Sequence, residues 1–323
     1  MRNIIIPPNA FLRRIFPFVK KTRHWCWKYH DRMGVRLMLS GGKIQFLDAV
    51  LNFPEGVGLI YATELFWNGP EAYEKTTSKL LALLIGRSRV FFDIGSNIGI
   101  YAVYAGVKFP AVTTYAFEPV PAIWKKNCLF HRSNQLSEKN VLSVALGDRQ
   151  GQQELIIPLF DGAVEEQQTA TLRSNTWQSS HETVERVSVE CTTLDAFSAN
   201  NAIPAGVCCL KIDVEDHEAA VLRGGRNFIQ SRRPWIVCEL LPNQKVDPAT
   251  GTRMNDNAET LSLVEELAYT PFAITGDGLF RMTPADFRRP RELKDFVLAP
   301  SEMIAADVSY LAFRSLEEML PLP

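Results

Sequence analysis

Two acidic residues and a pair of glycines near the middle of the chain have the spacing of a cofactor-binding turn. Asp93, Gly95 and Gly99 follow one apolar run and precede another, which predicts a strand, a tight turn and a helix. Glu118 ends the next apolar run, 113–117, 25 positions after Asp93. This arrangement is typical of a βαβ unit that holds an adenosine-containing cofactor, because the glycines admit the ligand and the acid accepts hydrogen bonds from ribose hydroxyls.

The spacing within this turn separates two kinds of cofactor. A nicotinamide or flavin fingerprint has the form G-x-G-x-x-G and presents a helix N-terminus to a pyrophosphate. Here the pattern is D-x-G-x-x-x-G, which lacks the middle glycine and is expected to put the Asp93 carboxylate at the mouth of the site. A carboxylate suits an ammonium and a sulfonium better than two phosphates. The pattern resembles the first motif of class I S-adenosylmethionine-dependent methyltransferases.

Further motifs follow this turn in a fixed order. They are Phe117-Glu118-Pro119, Ala145-Leu146-Gly147-Asp148, Thr193-Leu194-Asp195 and the run from Lys211 to Gly224. In this order the chain resembles the FkbM family of methyltransferases over about residues 75–240. The resemblance implies S-adenosylmethionine as cofactor, with Gly95 at its methionine end, Glu118 at its ribose and Asp148 at its adenine. The implied cofactor-binding residues are Asp93, Gly95, Ser96, Asn97, Gly99, Glu118, Pro119 and Asp148. We expect a Gly95→Val variant to fold without binding cofactor, because the added side chain would occupy ligand space.

Charged residues after the fourth predicted strand form the candidate catalytic group. Lys211, Asp213 and Glu215 alternate along the strand end, so their side chains are expected to share one face, and His217 follows. Ligands of an open α/β sheet bind beyond the carboxyl ends of its strands, where these residues are expected. We predict that Asp213, assisted by Lys211 or His217, orients and deprotonates an acceptor hydroxyl, which holds its proton at neutral pH. Glu215, His217 and Glu239, at the end of the fifth strand, are the alternative bases.

The same charged run also has a structural interpretation. Asp213 or Asp216 would then N-cap the next helix, which is expected to run to Phe228, and Glu215 would favour the positive end of that helix. Asp216 stands where the FkbM family usually has glycine, and aspartate tolerates a positive φ better than most residues. The acids at 213, 215 and 216 repel one another, which is expected to raise the pKa of at least one of them.

The resemblance implies an O-methyltransferase that acts on a hydroxyl of a sugar, glycolipid or polyketide-like product, so the expected partner is a small-molecule or glycan acceptor. Two alternatives stay open: a methyltransferase with a protein or amine acceptor, and an NAD(P)-dependent oxidoreductase, which the turn pattern disfavours. Asp213 and Glu215 offer oxygen ligands to Mg²⁺. The family does not require a metal, and we predict none.

The order of apolar runs predicts the fold class. From Val90 to Glu239, strands alternate with helices, which is typical of a doubly wound sheet. We predict an α/β, Rossmann-like class I methyltransferase fold, with a mostly parallel seven-stranded sheet and helices on both faces. Residues 71–323 form this domain, and residues 1–70 form an N-terminal extension with a small β-rich cap. Four later runs supply further strands, but the sequence does not say which lies antiparallel to the fifth strand; they are 272–275, 279–282, 296–299 and 310–313.

Composition limits the partners and the compartment. The 323-residue chain has a net charge of −1, so we expect no nucleic-acid partner. Basic and aromatic residues alternate in the first thirty positions, as expected for membrane-surface contact or for a helix packed on the domain; Pro17 favours the second. The six cysteines include no C-x-x-C pair, which indicates buried thiols in a cytoplasmic protein. The polar stretch 165–182 is expected to be an acceptor-side lid. The sequence leaves the oligomeric state open.

Overall fold

The computed structural model describes eight segments of the chain: residues 2–6, 35–158, 184–215, 217–240, 258–276, 278–283, 286 and 295–320. The basic aromatic stretch 7–34, the predicted lid 165–182 and Asp216 lie outside these segments. Within them, every helix is too short or too polar to cross a bilayer.

Strands and helices alternate through most of the described chain. The strands are β1 (Arg2–Ile6), β2 (Val35–Leu39), β3 (Gly42–Phe46), β4 (Ala49–Phe53), β5 (Val90–Ile94), β6 (Thr113–Phe117), β7 (Val141–Leu142), β8 (Ala145–Leu146), β9 (Gly151–Pro158), β10 (Val184–Thr192), β11 (Cys208–Ile212), β12 (Trp235–Glu239), β13 (Tyr269–Thr275), β14 (Gly278–Arg281), β15 (Asp295–Pro300) and β16 (Tyr310–Ala312). The helices are α1 (Leu59–Asn68), α2 (Lys75–Gly86), α3 (Ile100–Lys108), α4 (Pro121–Ser133), α5 (Leu194–Asn200), α6 (Glu218–Gly224), α7 (Arg226–Arg232), α8 (Ala258–Glu266) and α9 (Phe313–Met319).

The central sheet has the order β16-β14-β13-β15-β12-β11-β5-β6-β7 among the described residues. Strands β7, β6, β5, β11 and β12 are parallel, which confirms the predicted α/β fold. Strand β15 is antiparallel to β12, so the run 296–299 supplies the strand that the sequence left undecided. The prediction of a mostly parallel, seven-stranded sheet is wrong, because β14 and β16 pair antiparallel beyond β13 and bring the sheet to nine strands. Among the described residues, four of its pairings are parallel and four are antiparallel.

The predicted third strand, 141–146, is divided between two sheets. Val141 and Leu142 pair with β6, whereas Ala145 and Leu146 pair with β10 in a separate sheet of order β8-β10-β9. The strands expected at 153–158 and 184–191 form the antiparallel pair of this small sheet. The long apolar run therefore bridges two sheets, which periodicity alone does not predict.

Two apolar layers cover the two faces of the central sheet. Every residue of β5 and β11 is buried, as expected for parallel strands covered on both sides. Phe91 and Cys209 pack in one layer with α2 and α3, and Phe92 and Cys208 pack in the other with α6, α7 and α8. The described cysteines are all buried free thiols, as the sequence predicts.

The β3–β4 hairpin and α1 pack on the α2–α3 layer and reach the predicted cofactor turn. The backbone N–H of Asn52 donates a hydrogen bond of 2.8 Å to Oδ1 of Asn134, the residue that follows α4. Gly58, at φ 66°, precedes α1, and a Cβ there would lie 2.8 Å from Ile98 Cδ1. This close approach places the start of α1 beside the turn that follows β5.

The helix expected to reach Phe228 ends earlier. Helix α6 ends at Gly224 and α7 begins at Arg226. A Cβ at Gly224 would lie 1.9 Å from the carbonyl oxygen of Gly147, so the backbones touch there. Asp195 accepts hydrogen bonds from the N–H of Phe228 at 2.7 Å and thereby stabilises the start of α7.

Candidate functional site

The turn after β5 is folded by its own backbone hydrogen bonds. The N–H groups of Gly95 and Ser96 donate to the carbonyl oxygen of Phe117 at 3.0 and 2.9 Å. The N–H of Gly99 donates to Ser96 at 2.8 Å, and the N–H of Ile98 donates to Asn97 Oδ1 at 2.7 Å. These N–H groups already donate hydrogen bonds within the protein and are not available to a pyrophosphate. The turn is therefore poorly suited to a dinucleotide cofactor.

Glu118 closes the turn from the neighbouring strand. Its Oε2 accepts a hydrogen bond from the N–H of Asn97 at 2.9 Å, and its Oε1 accepts one from the N–H of Val120 at 2.8 Å. Burial raises the pKa of Glu118 to about 7, although these two hydrogen bonds act in the opposite direction. Each oxygen retains a second lone pair, so the carboxylate can also accept a ligand hydroxyl. Pro119, between these partners, is half-buried.

Gly95 is required by the close approach of the protein backbone. Its φ is 75°, and a Cβ there would lie 1.8 Å from the carbonyl oxygen of Asp213. The N–H of Asp213 donates to the carbonyl of Ile94 at 3.0 Å, so the two strand ends touch. A side chain at position 95 would separate them, and the expectation that Gly95→Val folds normally is therefore revised.

Asn127 on α4 supports the same turn and was missed by the sequence analysis. Its Nδ2 donates to Ser96 Oγ at 2.9 Å and to the carbonyl of Asn97 at 2.8 Å. A Cβ at Gly99, whose φ is 83°, would lie 2.3 Å from Asn127 Oδ1. The available signal was an amide at the helical spacing of the buried residues Ile123 and Phe130 of α4.

Asp93 lies beneath the turn, and the expectation that it stands at the mouth of the site is wrong. Its side chain is 1% exposed, and its Oδ2 accepts a hydrogen bond from the N–H of Ala102 at 3.1 Å. Its Oδ1 accepts no hydrogen bond from any described residue. Burial raises the pKa of Asp93 to about 6, and nearby Lys211 limits the rise.

Lys211 and Asp213 lie on one face, as the alternating pattern predicts, and the structure shows that they form an ion pair. Lys211 Nζ lies 2.9 Å from Asp213 Oδ2 and 5.5 Å from the centre of the Tyr101 ring. Burial lowers the pKa of Lys211, but the carboxylates of Asp213, Asp93 and Glu74 outweigh burial and hold that pKa above its ordinary value. Lys211 is therefore a fixed cation, which orients carboxylates but does not accept a proton.

Glu74, just before α2, is a site residue that the sequence analysis missed. Its Oε2 accepts a hydrogen bond from the Tyr101 hydroxyl at 2.6 Å, and that hydroxyl lies 2.9 Å from Ser78 Oγ. Burial raises the pKa of Glu74, although Lys211 opposes the rise. Its backbone is left-handed, with φ 42°, which is uncommon for a residue other than glycine. We call Lys211, Asp93, Asp213 and Glu74 the Lys211 cluster.

Glu239 ends β12 at the same edge of the sheet. It pairs in register with Asp295 of β15, and Thr77 at the start of α2 donates to Asp295 Oδ2 at 2.9 Å. Asp295 and Glu74 interact electrostatically. Glu239 therefore lies on the rim where the sequence places it, with Asp295 as a second acid beside it.

Glu215 and His217, the other two predicted bases, do not lie on the face of β11 that carries Lys211. Glu215 is half-buried and has φ 51°, so the strand alternation ends before it. His217 is the N-terminal capping residue of α6, without a side-chain capping bond, which contradicts the structural interpretation in which Asp213 or Asp216 caps this helix. His217 Nε2 would lie 2.9 Å from a Cβ at Gly147, so the imidazole lies toward the predicted adenine end.

Asp148 is held in ion pairs at that end. Its carboxylate lies 3.0 Å from the guanidinium of Arg223 and 3.3 Å from that of Arg149. Partial burial opposes these contacts, but the hydrogen bonds from the two arginines hold the pKa of Asp148 below its ordinary value. The Asp148 side chain therefore stays ionised and can accept hydrogen bonds. Across the described segments, no group of three or more potential ligands is arranged to hold a metal ion.

Comparison with known proteins identifies the family. The FkbM methyltransferase domain matches residues 93–271, more than half of the chain. The chain belongs to the FkbM methyltransferase family. It therefore carries a methyltransferase domain, and membership implies S-adenosylmethionine as the methyl donor.

Individual relatives are more distant. The chain is 29% identical over 180 residues to the 31-O-demethyl-FK506 methyltransferase FkbM of Streptomyces tacrolimicus, covering 50% of this chain and 68% of that protein. The crystal structure of an FkbM methyltransferase from Methylobacillus flagellatus matches with 12% identity and a TM-score of 0.36, over 66% of this chain and 44% of that one. The precorrin-6y C5,15-methyltransferase of Geobacter metallireducens matches with 10% identity and a TM-score of 0.35, over 70% and 87% of the two chains. This chain thus spans less than half of the Methylobacillus protein.

The FkbM domain offers groups that fit the methyl donor. The donor has hydroxyls on its ribose and an ammonium on its methionine end, and both require acceptors. Glu118 supplies carboxylate lone pairs beside the turn, and Asp213 supplies a half-buried carboxylate at the neighbouring strand end. These acceptors match the donor set of S-adenosylmethionine better than that of a dinucleotide phosphate.

Proposed function

We propose that this protein transfers a methyl group from S-adenosylmethionine to a hydroxyl of a small-molecule or glycan acceptor. The observation that carries the proposal is the contact between the Gly95 turn and the backbone carbonyl of Asp213, because the predicted methionine end then adjoins the strand end whose carboxylate is held by a fixed cation. The bound donor would supply an activated methyl group on a cationic sulfur. The remaining task of the protein is to align the acceptor oxygen, exclude water and take its proton.

Asp213 is the proposed base for that proton. Its side chain is half-buried, so it has access to the rim, while the ion pair with Lys211 fixes its orientation. Lys211 remains protonated, so it positions Asp213 and offsets the charge of the neighbouring acids. Glu239 is the second candidate base, on the next strand of the same edge.

The remaining polar residues have proposed roles in cofactor binding. Glu118 accepts hydrogen bonds from the ribose hydroxyls, and Asp148 accepts one from the adenine amino group. Ser96, Asn97, Gly99 and Pro119 form the walls of the turn. The engaged N–H groups of the turn count against the NAD(P)-dependent alternative.

A hydroxyl acceptor is favoured by similarity to the relative from Streptomyces tacrolimicus, whose name specifies an O-methyl position. The test is methyl transfer from S-adenosylmethionine with a deuterated methyl group, followed by mass spectrometry of cell-extract products, with Asp213→Asn protein as the control. The proposal expects labelled methyl ethers that are absent with the variant. Tight NADH binding without S-adenosylhomocysteine binding in calorimetry would overturn it.

An amine acceptor is the second candidate. It is favoured by the acidic residues near the Lys211 cluster, among them Glu64 and Glu74. Glu64 on α1 and Glu74 interact electrostatically, and burial raises the pKa of Glu64, with a further contribution from Glu74. Carboxylates beside an acceptor pocket attract a protonated amine as well as a hydroxyl. Labelled N-methyl products in the same assay would assign this acceptor class instead.

A further inference from the structure

We infer that Asn127 is a positioning residue for the methyl donor: its side-chain amide holds the turn after β5 in the shape that receives the amino-acid portion of S-adenosylmethionine. The inference rests on the proposed function, because it requires the methionine end of the donor to lie along this turn. It adds a fully buried residue that acts on the donor through the turn alone. It also specifies which part of the donor depends on that residue.

The Asn127 amide donates two hydrogen bonds to the turn. Its Nδ2 lies 2.9 Å from Ser96 Oγ and 2.8 Å from the carbonyl oxygen of Asn97. A carbonyl oxygen only accepts, so the amide nitrogen and not the amide oxygen must face Asn97. Ser96 Oγ donates its own hydrogen to the carbonyl of Phe117 at 3.2 Å, so it accepts from Asn127. These bonds form a chain from α4 through the turn to the end of β6.

The amide oxygen of Asn127 indicates that the protein uses the donors of this side chain. Oδ1 is buried and accepts no hydrogen bond from the described residues. An unsatisfied buried oxygen costs about 1–3 kcal/mol, a cost that a leucine in the same place would not have. An amide at this position is therefore explained by its two bonds to the turn rather than by packing.

The turn needs this support because part of it is left-handed. Asn97 has φ 51°, which is uncommon for a residue other than glycine and persists where neighbouring contacts fix it. Two side chains fix Asn97 from opposite sides, since Glu118 accepts from its N–H at 2.9 Å and Asn127 donates to its carbonyl. The peptide groups on both sides of Asn97 are therefore held by side chains, and the turn has its shape before a ligand arrives.

The nucleoside end of the site depends less on Asn127. Glu118, the proposed ribose acceptor, has a second anchor in the N–H of Val120 at 2.8 Å, and this contact does not involve Asn127. Without the amide, Glu118 keeps that anchor, whereas Ser96 and Asn97 lose the bonds that tie them to α4. A turn that is no longer held must be ordered by the ligand, and the cost of ordering reduces affinity. The loss is therefore expected for ligands that carry the amino-acid portion.

The test variant is Asn127→Leu, because leucine has a similar shape, adds no charge and donates no hydrogen bond. Asn134→Leu is the matched control. Asn134 follows the same helix, and its Nδ2 donates to the carbonyls of Asn52 at 3.1 Å and Phe130 at 2.9 Å. The control also removes amide donors beside α4, but these donors serve the β3–β4 hairpin and the end of the helix instead of the turn.

The experiment is calorimetry of the full chain with S-adenosylhomocysteine and with methylthioadenosine, which has the same nucleoside and a thioether but lacks the amino-acid portion. Asn127→Leu is expected to weaken binding of S-adenosylhomocysteine by about tenfold or more and binding of methylthioadenosine by less than about threefold. Asn134→Leu is expected to change both affinities by less than about threefold, although it lowers stability in urea unfolding. A purely structural role of Asn127 would not separate the two ligands.

Hydrogen exchange of the wild type tests the same inference without a variant. The N–H groups of residues 95–99 are all hydrogen-bonded within the protein. If side chains hold the turn, these amides exchange slowly in the free protein, and S-adenosylhomocysteine slows them little further. Fast exchange in the free wild type that becomes slow only with ligand would overturn the inference, even if Asn127→Leu does not fold.

The two hypotheses fail in different ways. If the wild type binds neither ligand, the proposed function is wrong and the inference falls with it. If S-adenosylhomocysteine binds but Asn127→Leu weakens both ligands equally, or leaves both unchanged, the inference is wrong and the proposed function stands. The same selective loss in Asn134→Leu would also refute the inference, because the effect would then come from general loosening of α4.

Discussion

The contact between Gly95 and the end of β11 gives a quantitative prediction for a single methyl group. In a Gly95→Ala variant, the new Cβ would be 1.8 Å from the carbonyl oxygen of Asp213. An ordinary carbon–oxygen contact is longer by more than about 1 Å, so the two strand ends must separate. That movement puts at risk the hydrogen bond from Asp213 N–H to the carbonyl of Ile94, which is 3.0 Å long.

The cost has two parts. Holding alanine at φ 75° costs about 1–2 kcal/mol, because the Cβ crowds the following carbonyl. Loss of the strand-end hydrogen bond adds about 1 kcal/mol, and the displaced packing at the ends of β5 and β11 adds a comparable amount. We therefore expect the free energy of unfolding to fall by about 3 kcal/mol. Binding of S-adenosylhomocysteine is expected to weaken by more than about tenfold, since the turn no longer keeps its shape.

Gly56 provides a matched control. It has the same φ of 75°, but a Cβ there meets nothing within 4 Å. Gly56→Ala therefore measures the cost of alanine at a positive φ without the close contact. In urea unfolding, we expect this variant to lose about 2 kcal/mol less stability than Gly95→Ala. Equal losses of stability in the two variants would refute the argument from close approach. Weakened ligand binding in a fully stable Gly95→Ala protein would restore the simpler view that the glycine only makes room for ligand.

Three further predictions concern the acids of the site. Glu118→Gln places an amide N–H against one of two backbone donors, so S-adenosylhomocysteine affinity in calorimetry should fall more than about tenfold. Asp213→Asn should lower kcat for the labelled methyl transfer by about 10²–10⁴ with little change in cofactor affinity, whereas intact turnover would move the base to Glu239. Burial raises the pKa of Asp93 to about 6 and that of Glu118 to about 7, so the folded state binds these protons more tightly than the unfolded chain. The free energy of unfolding should therefore fall as pH rises from about 3, below both unfolded pKa values, to about 8, by about 3 kcal/mol per group, and urea titrations of wild type and Glu118→Gln would show whether the slope belongs to Glu118.

The pattern of apolar residues along the sequence predicted individual strands and helices, because their formation depends mainly on neighbouring residues. The strand 113–117 matches β6 at both ends. The Thr193-Leu194-Asp195 motif lies at the start of α5, where Thr193 Oγ1 accepts from the N–H of Ala196 at 3.0 Å. The runs near 272, 279, 296 and 310 are all strands. Their order in the sheet was not predictable, because pairing between antiparallel strands depends on contacts that periodicity does not record.

The same distinction between local and long-range contacts separates the site residues that were predicted from those that were missed. The glycine turn, Glu118 and the Lys211–Asp213 pair follow from spacing along single elements. Glu74 and Asn127 could not be found this way, because each acts on an element distant in sequence. The burial of Asp93 was missed for a related reason, since its depth depends on the helix α3 that covers it.

The pairing of β5 with β11 also sets the time at which the site can form during synthesis. Val90 pairs with Cys208, 118 residues later, whereas β6 becomes available after only 23 residues, as Val90 pairs with Thr113. At about 5–20 residues per second, a ribosome needs roughly 6–24 s to supply β11 after β5 has been made. Through that interval, β5 has an apolar, unpaired edge, which is a template for association with other chains. The nascent protein therefore depends on early burial of the apolar face of β5 by α3, on which the β3–β4 hairpin packs, and cellular yield is expected to be more sensitive to mutations in that hairpin than equilibrium stability is.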